Sequence, residues 1–207
     1  MPLELWIAFA LASAALLAIP GPTVMLVVSY ALGRGRSSGW ASVPGVTLGD
    51  FTAMTASLLG AGAILATSAT LFTVLKLVGA AYLIWLGIKL WRAKPELDPV
   101  TAGTAKGGNR AIFWHAYFVT ALNPKGIVFF VAFVPQFIDP AAPGLLQFVI
   151  LEATFLTLAA LNVTLWVVAA GSLRERFREP RTLRLVNRIG GSFLIGAGLL
   201  TAAMRRA

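Results

Sequence analysis

Two carboxylates, Asp50 and Glu152, and one ammonium, Lys125, fall inside long apolar runs of this 207-residue chain. A charged side chain at the centre of a bilayer costs about 2.5–3.5 kcal/mol on insertion scales, so such groups mark binding or proton-transfer sites. Each carboxylate follows a helix-breaking proline at the same distance: Asp50 lies 28 residues after Pro22, and Glu152 lies 28 residues after Pro124. A carboxylate at that depth can accept an ammonium group or carry a proton. A lysine or the start of a helix can receive a substrate carboxylate. The repeated spacing points to a duplicated unit with broken helices, the way many secondary transporters are built.

The residues around the prolines sharpen this reading. In Ile19-Pro20-Gly21-Pro22-Thr23, Pro20 and Pro22 each lack an N–H and disfavour helix in the residue before them. The sequence therefore predicts a break at Pro20, Gly21 and Pro22, with Pro22 as the first residue of a new half-helix. The amides from Thr23 onward and the Thr23 hydroxyl would then face an anion, the alternative being an ordinary proline kink packed by neighbours. In Ala121-Leu122-Asn123-Pro124-Lys125-Gly126, Asn123 is suited to the N-cap and Pro124 to the first helical position, so a second break is expected there. Lys125 has three readings: it snorkels to the membrane edge, neutralises a carboxylate, or grips an anionic substrate group. The glycines of Gly45-Val-Thr-Leu-Gly49-Asp50 allow close helix approach, and Thr47 and Ser57 share a helix face with Asp50. The structural alternative for Asp50 is a buried ion pair with Lys125. Glu152 lies nearer the outer side, where simple solvation is its alternative, and Asn162 adds a deeper polar group.

The elements that must position these groups follow from hydropathy. The chain is 58% hydrophobic and 12% charged, with a mean hydropathy of +0.82, too few charges to cover a soluble domain of this size. Six membrane segments are expected near residues 5–32, 40–67, 71–91, 113–138, 145–171 and 189–204, each near the ~20 residues that cross a bilayer. They divide into a first three-helix repeat (1–91), a cytoplasmic linker (92–112) and a second repeat (113–207). Arginine and lysine crowd the first, third and fifth connectors, among them Arg34, Arg36, Arg92, Lys94, Lys106, Arg110 and Arg174 to Arg188. The positive-inside rule puts those connectors in the cytoplasm and both termini outside, although Arg205 and Arg206 run against that bias. Trp40, Trp91 and Trp114 fall at the same cytoplasmic interface.

The run Leu77 to Gly87 aligns with Arg188 to Gly198, with Gly79/Gly190, Leu83/Leu194, Ile84/Ile195 and Gly87/Gly198 identical. Three segments per half is an odd number, so the fold class expected is all-α, six transmembrane helices as a 3+3 inverted repeat with broken first and fourth helices. The glycines can pack within one chain or between copies, which leaves a homo-oligomer open.

Composition also excludes classes. The net charge of +9 sits in short connectors rather than on a soluble face, which argues against nucleic acid. With no cysteine and one histidine, thiol chemistry, a His-based metal site and a cofactor-bearing catalytic centre are not expected. His115 reads as an interfacial residue at a helix start. Met1-Pro2-Leu3-Glu4 lacks a basic n-region, so the first apolar run is expected to stay in the mature protein.

Pro-Gly-Pro-Thr in the first segment, Gly-Asp in the second, Asn-Pro-Lys in the fourth and the Gly79 to Gly87 run resemble the LysE (RhtB-like) family of amino-acid exporters. The resemblance spans essentially the whole chain. It implies a secondary carrier, not an enzyme, in the bacterial cytoplasmic (inner) membrane, exporting amino acids or close derivatives with the proton gradient as driving force. The motif residues are Pro20, Gly21, Pro22, Gly49, Asp50, Asn123, Pro124 and Lys125. On this reading Pro22, Thr23, Asp50, Asn123, Pro124 and Lys125 bind substrate, and Asp50 and Glu152 are the proton-coupling candidates. Glu152 rests on the internal repeat alone. An exporter of another small solute, a metal ion or a drug, is the alternative.

Overall fold

The two proline-rich breaks predicted from the sequence divide both broken spans of the computed structural model, which describes residues 1–93, 108–138, 142–178 and 180–203. Lys94 and Lys106 of the expected linker, residues 139–141 of the fourth connector, and Arg205 and Arg206 lie outside the described residues. Helix α1 (Leu3–Ala18) stops before Pro20, and α2 (Pro22–Gly33) starts on Pro22 after an extended Gly21, with a bend of 53° between them. Helix α5 (Asn109–Ala121) ends before the Asn123-Pro124 cap, and α6 (Pro124–Val128) leaves at 40°. Beyond Val128 the chain winds as a π-helical turn, Phe129–Phe133, and a 3₁₀ turn, Val134–Phe137. Helix α3 (Arg36–Thr67) passes through its lone Pro44 unbroken, because one proline removes only one bond of the ladder. Only Ser68 separates it from α4 (Ala69–Arg92), and its hydroxyl caps α4 by accepting from the Leu71 amide at 3.1 Å.

The fifth connector differs from expectation. Helix α7 (Gly144–Arg178) and α8 (Pro180–Ala203) extend into the basic stretch expected to connect the segments 145–171 and 189–204. The physical reason is local: residues 172–178 contain no Gly or Pro and include three arginines, Leu173 and Glu175, which favour helix, and Pro180 suits a first helical turn.

By length and composition two described helices are apolar enough to cross a membrane, Ala69–Arg92 and Gly144–Ala170. The bent pairs α1–α2 and α5–α6 pass the same test when each counts as one span. Their outer faces carry exposed Leu3, Leu11, Leu122, Leu145 and Leu165, which suits lipid rather than water.

Glycines set the closest contacts. Helix α3 lies on α5 because Gly45 faces the Phe113 carbonyl and Gly49 faces Thr120 and the Tyr117 carbonyl. Helix α4 lies on α8 with Gly87 against Gly191 and Ile195, and Gly198 against Ala80 and Ile84. These contacts are within one chain, and they interchange when the aligned runs 77–87 and 188–198 are swapped. Gly79 and Gly190 likewise each meet the broken span of the other half, at Ala132 and Ile19.

A Cβ on Gly87 would sit 2.6 Å from the Gly191 carbonyl and 2.8 Å from Ile195. Gly87→Val is therefore expected to lower stability by about 1–3 kcal/mol, seen as a lower melting temperature in detergent. Gly62→Ala, with open space around the added methyl, is expected to leave it unchanged or slightly higher.

Candidate functional site

The break in the first span strips backbone groups of their partners, and the site is built around what replaces them. In a continuous helix the Leu16 carbonyl would receive the N–H of residue 20 and the Ala18 carbonyl that of residue 22, but both are prolines. Gly21 and Thr23, the matching donors for Leu17 and Ile19, lie beyond the break. The Lys125 ammonium fills part of this gap, donating to the Leu16 carbonyl at 3.1 Å and the Ile19 carbonyl at 2.9 Å. Asn162 of α7 donates through Nδ2 to the Leu17 carbonyl at 3.1 Å. A cation at the C-terminal end of α1 also meets the negative end of that helix dipole. Gly21 leaves the room, since a Cβ there would come within 3.3 Å of the Lys125 Nζ. None of the three sequence readings of Lys125 anticipated this: it neither snorkels outward nor pairs with a carboxylate, but closes the end of a broken helix in the other half of the chain.

The two helix starts face the same place. Asn123 caps α6, its Oδ1 accepting from the Lys125 amide at 3.1 Å, while its Nδ2 donates to the Thr23 hydroxyl at 3.3 Å. The Thr23 and Thr120 hydroxyls share a hydrogen bond at 3.2 Å. With Pro22 and Pro124 at the first helical positions, the amides of Thr23 and Val24 in α2 and of Gly126 in α6 have no intrahelical acceptor. Asp50, 8% exposed, projects from α3 beside them, and among the described residues its carboxylate makes no hydrogen bond or ion pair.

Asp50, Thr23, Val24, Asn123, Lys125, Gly126 and Asn162 line one cavity of about 40 Å³. That space holds a few waters and is too small for an amino acid. Apolar clusters close it on two sides. One contains Phe155, packed on Phe130 with ring centroids 4.8 Å apart, together with Phe129, Phe133 and Phe137. The other contains Val46, Val163, Val27 and Tyr30.

The structure therefore brings Thr23, Asp50, Asn123 and Lys125 together, with Pro20, Gly21, Pro22 and Pro124 shaping the two helix starts. It does not bring Glu152 with them. Glu152 accepts from the Thr55 hydroxyl at 2.5 Å and is absent from the cavity wall. Thr47 bonds back to the Val43 carbonyl, and Ser57 lines a separate groove between α3, α4, α5 and the fourth span. His115 stands well inside α5 rather than at its start, its Nδ1 2.7 Å from the buried Tyr30 hydroxyl. Sequence reasoning missed the carbonyls of Leu16, Leu17 and Ile19, although counting four residues back from Pro20 finds the first of them. It missed the Phe155 contact too, which has no local signal. Among the described residues no group of three or more His, Asp or Glu side chains could hold a metal ion.

The family model described as LysE type translocator matches residues 14–205. The chain belongs to this family. It is 33% identical to a homoserine/homoserine lactone efflux protein of Salmonella typhi, with all of both chains covered. It is also 33% identical to an uncharacterized membrane protein of Vibrio cholerae, over 99% of this chain and all of that one. A leucine efflux protein of Enterobacter sp. strain 638 is 29% identical over 90% of this chain and 89% of its own. No solved structure matches the chain. Family and relatives point to a multi-pass membrane transporter rather than an enzyme.

Asn162→Leu removes the donor to the Leu17 carbonyl and leaves that group buried. A loss of about 1–3 kcal/mol is expected, read as a lower melting temperature of the purified protein.

Proposed function

We propose that this protein is a secondary carrier that exports an amino acid or close derivative across the cytoplasmic membrane. The observation that carries the reading is the meeting of two half-helix starts and Asp50 in the wall of one small cavity. An amino acid is a zwitterion and needs donors for its carboxylate and an acceptor for its ammonium. The amides of Thr23, Val24 and Gly126, with the Thr23 hydroxyl, supply donors at the positive ends of two helices. Asp50 supplies the acceptor. The relatives named for efflux of homoserine, homoserine lactone and leucine support a small amino acid or its derivative as the cargo.

Six crossings in a 3+3 inverted repeat are part of the proposal. The reciprocal glycine contacts of α4 and α8 support it, because a two-fold relation between halves requires such interchange. So does the exchange of neighbours, α3 of the first half on α5 and α7 of the second half on α1 and α2. The orientation with both termini outside rests on the basic connectors. Transport then alternates the two apolar closures, one half rocking on the other and widening the cavity from each side in turn. Proton coupling is assigned to Asp50 or Glu152, the two carboxylates that fall inside the apolar spans.

Counterflow of radiolabelled amino acids in proteoliposomes, with and without a proton gradient, tests the function. Asp50→Asn is expected to abolish counterflow while the protein stays folded, and full activity in that variant would remove Asp50 from the site. Glu152→Gln is expected to keep exchange but weaken the response to the proton gradient. An unaltered response assigns Glu152 to the Thr55 bond alone. Failure of every amino acid tested moves the reading to another small solute.

A further inference from the structure

Lys125 is the one group in the cavity whose role the proposed function leaves open. Two of its three N–H bonds already go to protein carbonyls. We infer that the Leu16 and Ile19 carbonyls form an ammonium site, which Lys125 fills in this closed conformation and which the substrate's own amino group takes over during transport.

The site is built for a cation. Its acceptors lie at the negative end of α1, where the break leaves the Ile19 carbonyl without a helical donor and the Leu16 carbonyl with only the Ile19 amide at 3.3 Å, and half-helix ends of this kind bind cations in transporters. Leu16 and Gly21 line the same small cavity as Asp50. A substrate ammonium received by Asp50 can therefore exchange places with the Lys125 ammonium within the same cavity, the lysine moving to the carboxylate as the substrate moves to the carbonyls. Room supports the same exchange: about 40 Å³ admits no amino acid while the lysine forms part of the cavity wall, and withdrawing it enlarges the space. Lys125 thus acts as a tethered competitor. It keeps the broken span closed when empty and gives way to a ligand carrying its own ammonium. The take-over step rests on the amino-acid reading above, whereas the ammonium site itself does not.

Lys125→Ala deletes an n-propylammonium equivalent, so that ion is the probe. The purified variant is expected to melt below the native protein and to gain about 3–6 °C from n-propylammonium chloride at a tenfold excess over its Kd. The native protein, and the variant in equal NaCl or tetramethylammonium chloride, are expected to show no gain. No selective gain overturns the ammonium site. In the same variant L-homoserine is expected to suppress the n-propylammonium shift and N-acetyl-homoserine is not; additive shifts overturn the take-over step. If no amino acid binds or is carried by the native protein either, the export reading fails while the n-propylammonium result still decides the site. Should Lys125→Ala not fold, Lys125→Met, which keeps the stem, decides: it is expected to melt lower than the native protein, and equal stability overturns the site.

Discussion

Hydrocarbon offers no partner to an exposed peptide group, so every backbone N–H and C=O freed inside a membrane span must find one in the protein. The two breaks create just such groups, and the architecture is arranged around them. Lys125 and Asn162 come from the second half of the chain and close the carbonyl end of α1 in the first half. Asn123 closes the start of α6 with its own side chain and reaches across to Thr23. The breaks are therefore tied together rather than separately patched. Gly21, Gly45 and Gly49 matter for the same reason: each removes a side chain where another group must approach.

The satisfaction is uneven, and the unevenness has chemical content. The Leu16, Leu17 and Ile19 carbonyls are met by protein donors, while the amide ends at Thr23, Val24 and Gly126 and the Asp50 carboxylate remain available at a cavity wall. A buried unpaired carboxylate and free helix starts cost stability, and a fold optimised only for stability would pair or remove them. The glycine contacts of α4 with α8 and α3 with α5 supply backbone proximity that helps hold such a site in place. The π and 3₁₀ turns from Phe129 to Phe137 leave the fourth span irregular beside the aromatic closure, where helices commonly hinge.

Much of this was legible because proline and glycine act locally. Pro20, Pro22 and Pro124 announce breaks wherever they stand, and Gly45 with Gly49 announces close packing one turn before Asp50. The partners were not legible. Lys125 meets Leu16 and Ile19 through backbone carbonyls, which no residue type advertises, across a separation only the folded bundle closes. Glu152 shared its proline spacing with Asp50, yet a neighbouring Thr55 gave it a hydrogen-bond partner and the cavity lies elsewhere. The ends of the fifth and sixth segments follow hydropathy, which stops at the basic stretch, whereas the helices continue into it. His115 was placed by its position in the chain, whereas its partner Tyr30 lies on a different helix.

Asp50 and Lys125 share an enclosure without pairing, and charge balance explains why that arrangement suits a zwitterion. A direct ion pair would neutralise both groups and leave nothing to recognise, with desolvation cancelling much of its attraction. Holding the lysine on the α1 carbonyls keeps the enclosure neutral as a whole while leaving opposite charges apart. A guest carrying both an ammonium and a carboxylate enters without changing that balance, since its own two charges cancel. A guest with only one charge leaves an opposed group uncompensated, at a cost of about 3–5 kcal/mol for a buried charge that has lost its partner. That penalty discriminates by charge pattern before any contact with the substrate's side chain. The remaining wall, Leu17, Val24, Val46, Phe155 and Val163, is apolar and can sort guests only by size and shape.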